Sequence, residues 1–211
     1  IFALAKLAES RDQETGDHLS RIRKYSYLLA KEMSLSKTYK GYIDQKYIAN
    51  IYHSSPLHDI GKVGISDQIL LKPGKLTLQE FDIMKSHTII GGKTLEDAEK
   101  QLKNKTKSFL SMGKNIAYCH HEKWDGSGYP FGLKETEIPL SARIVALADV
   151  YDALTSKRVY KEAMSHAVAR DIIVQSSGKH FDPTVVEAFL RLEDIFKKSV
   201  EKDRENINKE S

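Results

Sequence analysis

Five histidines and three carboxylates stand in this sequence where a core pattern would not place them. His58 and Asp59 follow Pro56-Leu57 and precede Ile60-Gly61-Lys62-Val63-Gly64, a helix end broken by glycines. Glu14 and His18 are spaced i, i+4, so they share one helix face. His87 is expected to end an amphipathic segment just before Thr88-Ile89-Ile90-Gly91-Gly92, and His120 and His121 to close another helix at the start of HHEKWDGSGYP (120–130). Asp149 falls inside the apolar run IVALADVYDAL. An unpaired carboxylate buried there would cost several kcal/mol.

Taken singly, each has an ordinary reading. The Glu14/His18 pair fits a surface contact, one of two adjacent histidines is usually solvated, and Asp149 can pair with an arginine such as Arg143. The ordered set has a different chemistry. Imidazole and carboxylate without thiolate suit hard to borderline cations such as iron, manganese or zinc. Glu14, Asp59 and Asp149 in one pocket would carry three negative charges against one from Lys62. Two divalent ions would relieve that repulsion and stabilise the fold on binding.

The elements that must position these groups read almost entirely as helix. Residues 18–33 place Leu19, Ile22, Tyr25, Leu28 and Leu29 on one stripe, with basic residues opposite. A second helix is expected over roughly 42–54. TLQE (77–80) is a capping box that starts a helix through FDIMKSH. Further helices are expected over 106–121, over the nearly all-apolar 141–156, and in SHAVARDIIVQ and DPTVVEAFLRLEDIF. In the last of these Asp182 is the N-cap and Pro183 the first helical residue. Strand signals are confined to a short turn or hairpin near 129–139. The expected fold class is all-α, a multi-helix bundle.

Composition narrows the function classes. Of 211 residues, 40% are hydrophobic and 29% charged, enough to bury a core in one domain. A net charge of +4, with no dense Lys/Arg stripe interleaved with aromatics, argues against a nucleic-acid polymer as partner. One cysteine, Cys119, excludes a disulfide framework and points to a reducing, cytoplasmic setting. No apolar run reaches the ~18 residues of a membrane span. The chain opens mid-pattern in IFALAKLAES without methionine, so we expect a piece of a longer protein, which could itself be membrane-tethered.

ETGDH (14–18), HDIGK (58–62), the isolated His87, HHEKWDGSGYP (120–130), DVYDAL (149–154) and HFDP (180–183) together resemble the HD-GYP family, a branch of the HD metal-dependent phosphohydrolases. HD alone is a weak motif; HD with the lone histidine, the HH pair and GYP is highly specific. The resemblance implies an HD-type bundle with a short GYP loop or hairpin over residues 1–195. It also implies a linker helix at 1–13 from an upstream sensory or receiver domain, and a polar tail at 196–211. It implies metal ligands at His58, Asp59 and Asp149, with His87, His120 and His121 adding a second ion and Glu14 and His18 a third. Two or three divalent ions are expected: iron first, manganese next, with zinc, nickel or magnesium as further options. Lys62 would face the scissile phosphate as a catalytic residue beside Asp59. Gly128, Tyr129 and Pro130, with Arg158 and Lys161, would contact the substrate. That substrate would be cyclic di-GMP, cleaved to linear pGpG or on to GMP. The alternatives are a mixed cyclic GMP–AMP substrate, or a non-hydrolytic sensor that meets partners such as diguanylate cyclases through the GYP surface. The family also leaves room for a homodimer.

The chemistry matches these residue types. A phosphodiester is an anion and repels hydroxide. A pair of cations lowers the pKa of water between them, withdraws charge from the phosphoryl oxygens and stabilises the departing oxygen. A carboxylate such as Asp59 can bridge two ions, neutral histidines add no charge, and Lys62 would offset charge building on the phosphoryl group. His120 and His121, one helical step apart, are expected to reach different ions or different faces of one ion.

Overall fold

The structure is a computed structural model and describes residues 2–11, 17–102, 109–156 and 162–210, with side chains as far as 202. Its helices are α1 (Phe2–Glu9), α2 (His18–Met33), α3 (Gln45–Ser54), α4 (Asp67–Leu70), α5 (Leu78–Gln101), α6 (Phe109–Cys119), α7 (Leu140–Thr155), α8 (His166–Gln175), α9 (Pro183–Arg191) and α10 (Glu193–Glu210). Short 3-10 turns cover Ser55–Leu57, Ile60–Gly64 and Glu135–Glu137. Among the described residues the fold is all-α, and no helix is long and apolar enough to cross a membrane.

α7 runs through the centre. It is apolar on nearly every side, as a helix buried all round must be. Ile144, Val145, Leu147, Ala148 and Tyr151 are fully buried against Ile22, Tyr25 and Leu29 of α2, Ile116 of α6 and Phe189 of α9. A smaller cluster of Ala5, Leu19, Leu57, Leu95 and Ala117 seats α1 on the turns that follow α3. The first helix is therefore packed against the domain.

Local signals set several boundaries. Asp44 caps α3 by accepting from the Tyr47 amide at 2.7 Å, and Asp182 caps α9 by accepting from Thr184 at 2.8 Å. The Thr77–Glu80 capping box is formed in both directions.

Two expectations are corrected, and one alternative is resolved. α5 does not stop at His87 but continues through Gly91-Gly92 to Gln101. Each glycine costs a helix about 1 kcal/mol, and close packing repays it: Gly91 lies against Ile60 and Gly61, and Gly92 under the Tyr118 ring. The boundary at 195 falls inside α10, whose Phe196, Ser199 and Val200 are buried, so the core reaches past it. The 129–139 stretch is a loop with one 3-10 turn and no strand pairing. Its amides are bound by a side chain instead, as described below.

Candidate metal centre

Helix and turn ends deliver the ligands. His58 and Asp59 lie between the two consecutive 3-10 turns, His18 opens α2, His87 sits within α5, His120 and His121 follow α6, and Asp149 comes from mid-α7. Two groups result. Asp59, His87, His120 and His121 form one and His18, His58 and Asp149 the other, with the candidate ligand atoms of each within 4.8 Å of one another.

Asp59 touches both groups. Its Oδ1 is 3.2 Å from His87 Nε2 and 3.4 Å from His120 Nε2, while its Oδ2 is 3.3 Å from His58 Nε2. Asp149 Oδ1 lies 3.8 Å from His18 Nε2 and 4.0 Å from His58 Nε2. Lys62 Nζ sits 2.8 Å from Asp59 Oδ2.

The far side of each imidazole explains its orientation. Nδ1 of His58 meets Ser55 O at 3.0 Å, that of His87 meets Met84 O at 2.8 Å, and that of His120 meets Ile116 O at 3.1 Å. A carbonyl can only accept, so Nδ1 carries a proton and Nε2 is the nitrogen turned inward, where a cation would take its lone pair. This is the arrangement of metal-binding histidines. His18 does the same with a carboxylate: Asp152 Oδ2 lies 2.7 Å from its Nδ1. The Nε2 atoms of His58, His87 and His120, with Asp59 Oδ1, are buried without a hydrogen-bond partner. Leaving such atoms unsatisfied costs about 1–3 kcal/mol each. Divalent cations at the two groups would satisfy them, so the residues fit the implied metal.

Electrostatics agree. Burial opposes charge on His58, yet the carboxylates of Asp59 and Asp149 outweigh it and pull the imidazole up to about 9. Burial likewise works against ionised Asp59, but the Lys62 ammonium and His58 hold its carboxyl well below the usual range. Burial, reinforced by His120, keeps His121 well below the ordinary imidazole range. The pocket seeks positive charge at its carboxylates, and His121 beside them stays a neutral donor.

Of the two arrangements expected for His120 and His121, separate ions or two faces of one ion, the structure supports the second. They lie beyond the end of α6, their ring centroids are 4.0 Å apart, and both join the Asp59 group. Arg143 does not pair with Asp149: its Nη1 lies 2.5 Å from Asp182 Oδ2, and its guanidinium covers Trp124. Glu14, Arg158 and Lys161 lie outside the described residues. Cys119 is buried, and burial followed by Glu122 pushes its thiol up to about 12, consistent with a packing role.

The signature loop packs beside the centre. Tyr129 stacks on His121 with centroids 4.7 Å apart, and Phe81 of α5 meets Tyr129 edge-on at 6.2 Å. Lys85 Nζ stands 5.1 Å from the Phe81 ring and 5.8 Å from the Tyr129 ring. Gly128 approaches the chain so closely that a Cβ there would lie 2.5 Å from Glu122 Cα. The Tyr129–Pro130 bond is cis.

Three carboxylates escaped the sequence reading. Buried Glu122 accepts from the amides of Phe131 (2.7 Å) and Leu133 (3.1 Å), which holds this stretch as a loop, one of the two expected forms. Buried Asp152 accepts from Arg21 Nε at 2.5 Å while orienting His18. Its spacing of i+3 from Asp149 on α7 was a usable signal. Nothing in the spacing of Glu122 marked its partners. Glu9, at the end of α1, lies 4.0 Å from His18 Nε2 and was also missed.

An HD domain family model matches residues 3–185. A probable cyclic di-GMP phosphodiesterase of Vibrio cholerae is 54% identical over 93% of this chain and 44% of its own. A cyclic di-GMP phosphodiesterase of the same organism is 55% identical over 93% of this chain and 39% of its own. The chain thus spans less than half the length of these relatives. The crystal structure of a cyclic GMP-AMP specific phosphodiesterase of V. cholerae superposes with a TM-score of 0.63 at 17% identity, covering 94% of this chain and 50% of that one, and so shares its fold. With the family model matching most of the chain and these relatives more than half identical to it, this chain belongs to the HD domain family, in its HD-GYP branch.

Proposed function

We propose that the chain is a metal-dependent phosphodiesterase that hydrolyses cyclic di-GMP to linear pGpG or on to GMP. The observation that carries the chemistry is Asp59. One carboxylate faces two ligand groups, with an ammonium 2.8 Å away. The substrate is supported by the names of the two Vibrio relatives.

When bound, divalent ions supply Lewis-acid charge to the phosphodiester and make a nucleophile available near neutral pH. Iron is the expected metal, manganese next. The chain's own residues do the rest. His18, His58, His87, His120, His121, Asp59 and Asp149 hold the ions. The carbonyls of Ser55, Met84 and Ile116 and the carboxylate of Asp152 keep the imidazoles turned inward. Lys62 lies where it can neutralise charge on a phosphoryl oxygen. Tyr129 forms a wall of the groove beside His121.

Anaerobically purified, metal-loaded protein is expected to convert cyclic di-GMP into linear product, with elemental analysis returning at least two ions per chain. Chromatography showing intact cyclic di-GMP, or a marked preference for the mixed GMP–AMP ring in competition, would overturn the assignment.

The row from His121 through Tyr129 to half-exposed Phe81 gives a purine an aromatic face next to the ammonium of Lys85. Base–aromatic stacking is worth about 1–3 kcal/mol. Phe81→Ala is therefore expected to lower kcat/KM for cyclic di-GMP about tenfold relative to kcat/KM for bis(p-nitrophenyl) phosphate, which has no purine. Steady-state kinetics on both substrates reads this ratio; an unaltered ratio would remove Phe81 from the groove.

A further inference from the structure

Lys62 sits mid-way along the five-residue turn Ile60–Gly64. Such a turn has little geometry of its own: 3-10 hydrogen bonds are poorly aligned and runs are short. Here Lys62 N–H donates to Asp59 O at 2.9 Å, and Ile65 N–H donates to Lys62 O at 3.0 Å. What aims the lysine must come from outside the turn.

Two neighbours grip it on either side. On one side Gly61 lies backbone to backbone against His87 and Gly91 of α5. On the other, Arg11, just beyond α1, reaches across the turn with its guanidinium. Nη1 donates to Val63 O, while Nη2 donates to Ile65 O at 3.1 Å and to Asp67 Oδ1 at 2.7 Å. Ala5, Ala8, Pro56 and Ile60, with Asp59 and Lys62, line the cleft between α1 and the turn.

The pair with Asp67 alone would mean little. That carboxylate is 68% exposed, and exposed pairs contribute at most about 1 kcal/mol. The two carbonyls are different. They flank Lys62 on its C-terminal side, and a planar fork that binds both fixes the path of the backbone between Gly61 and Ile65. The α5 side is rigid because it is backbone on backbone. On the α1 side Ile60 packs against the cluster around Ala5, and Arg11 supplies the hydrogen bonds to the two carbonyls.

We infer that Arg11 is a positioning residue for Lys62, holding the Ile60–Gly64 turn so that the ammonium stays beside Asp59 and faces the phosphate. This rests on the phosphodiesterase reading above. A misplacement of about 1 Å in a group near the chemistry can cost up to about 100-fold in rate, so a partial release should cost about tenfold.

The test uses the full chain, metal-loaded, with Arg11→Met, Lys62→Met and the double variant, read by steady-state kinetics, elemental analysis and thermal melting. Arg11→Met is expected to lower kcat about tenfold, leave KM within about twofold and keep the full ion content. On the Lys62→Met background it should cost less than about twofold more, because the group it aims is already gone. Arg11→Lys, which can reach a carbonyl but not fork, should recover part of kcat. Asp67→Asn should leave kcat within about twofold of the unsubstituted chain.

A full tenfold loss on the Lys62→Met background would show that Arg11 acts elsewhere and overturn the inference. So would loss of ions in Arg11→Met, or an unchanged kcat. If unsubstituted protein hydrolyses no cyclic dinucleotide, the proposed function has failed and this inference with it. If it does hydrolyse and the two substitutions are independent, the inference alone has failed.

Discussion

Asp59→Ala is expected to lower hydrolysis of cyclic di-GMP by about 10³-fold or more and to strip ions from the protein. The reason is the position of its two oxygens. Oδ1 faces His87 and His120, and Oδ2 faces His58 and Lys62. Alanine removes the group common to both ligand sets and leaves one of them with histidines alone. Lys62 then loses the carboxylate 2.8 Å away beside a site meant for cations. The stability readout is separable from activity. Binding at 100 times Kd contributes about 2.7 kcal/mol, so melting of the unsubstituted chain should fall when chelator is added. The variant should melt at one temperature with or without chelator. Retention of two ions and measurable turnover by Asp59→Ala would end the bridging role assigned to this carboxylate.

Gly61→Ala should be as damaging, through the backbone rather than through chemistry. A Cβ on Gly61 would overlap His87 O and lie 2.5 Å from Gly91 N. Both are main-chain atoms of α5, and no rotamer can relieve the contact. Forced overpacking typically costs about 1–3 kcal/mol and more where backbone must shift; we expect about 3–5 kcal/mol in urea unfolding. Moving α5 away also moves His87, and moving the turn moves Lys62, so ion content and kcat should fall with stability. Gly41→Ala is the control. Nothing lies within 4 Å of a Cβ there, but φ is +86°, so the cost is conformational, about 1 kcal/mol, with activity retained. Equal ΔG for Gly61→Ala and the unsubstituted chain would refute the backbone contact.

Much of the centre was legible before any fold was known. Residue type limits metal chemistry, and seven of the eight expected ligands, His18, His58, Asp59, His87, His120, His121 and Asp149, fall in the two groups. The eighth, Glu14, lies outside the described residues. Helix α2, the Thr77–Glu80 box and the Asp182-Pro183 start were equally plain. Periodicity and capping act over three or four residues and need no partner from elsewhere.

What failed to show were the decisions made by contact at long range. Gly91-Gly92 looked like a stop, and became mid-helix because Gly61 and Tyr118 need the room. Residues after 195 looked like a tail, and Phe196 became core because Tyr25 and Tyr151 stack around it. His18 finds its orienting carboxylate in Asp152, and Arg11 finds its carbonyls beyond Lys62, each across a long stretch of chain. The sequence by itself determined which groups could bind cations and which segments coil. The tertiary structure alone decided which atoms face inward and what holds them there. An imidazole's direction depends on a hydrogen bond to its far nitrogen, and no local pattern within the chain specifies that partner.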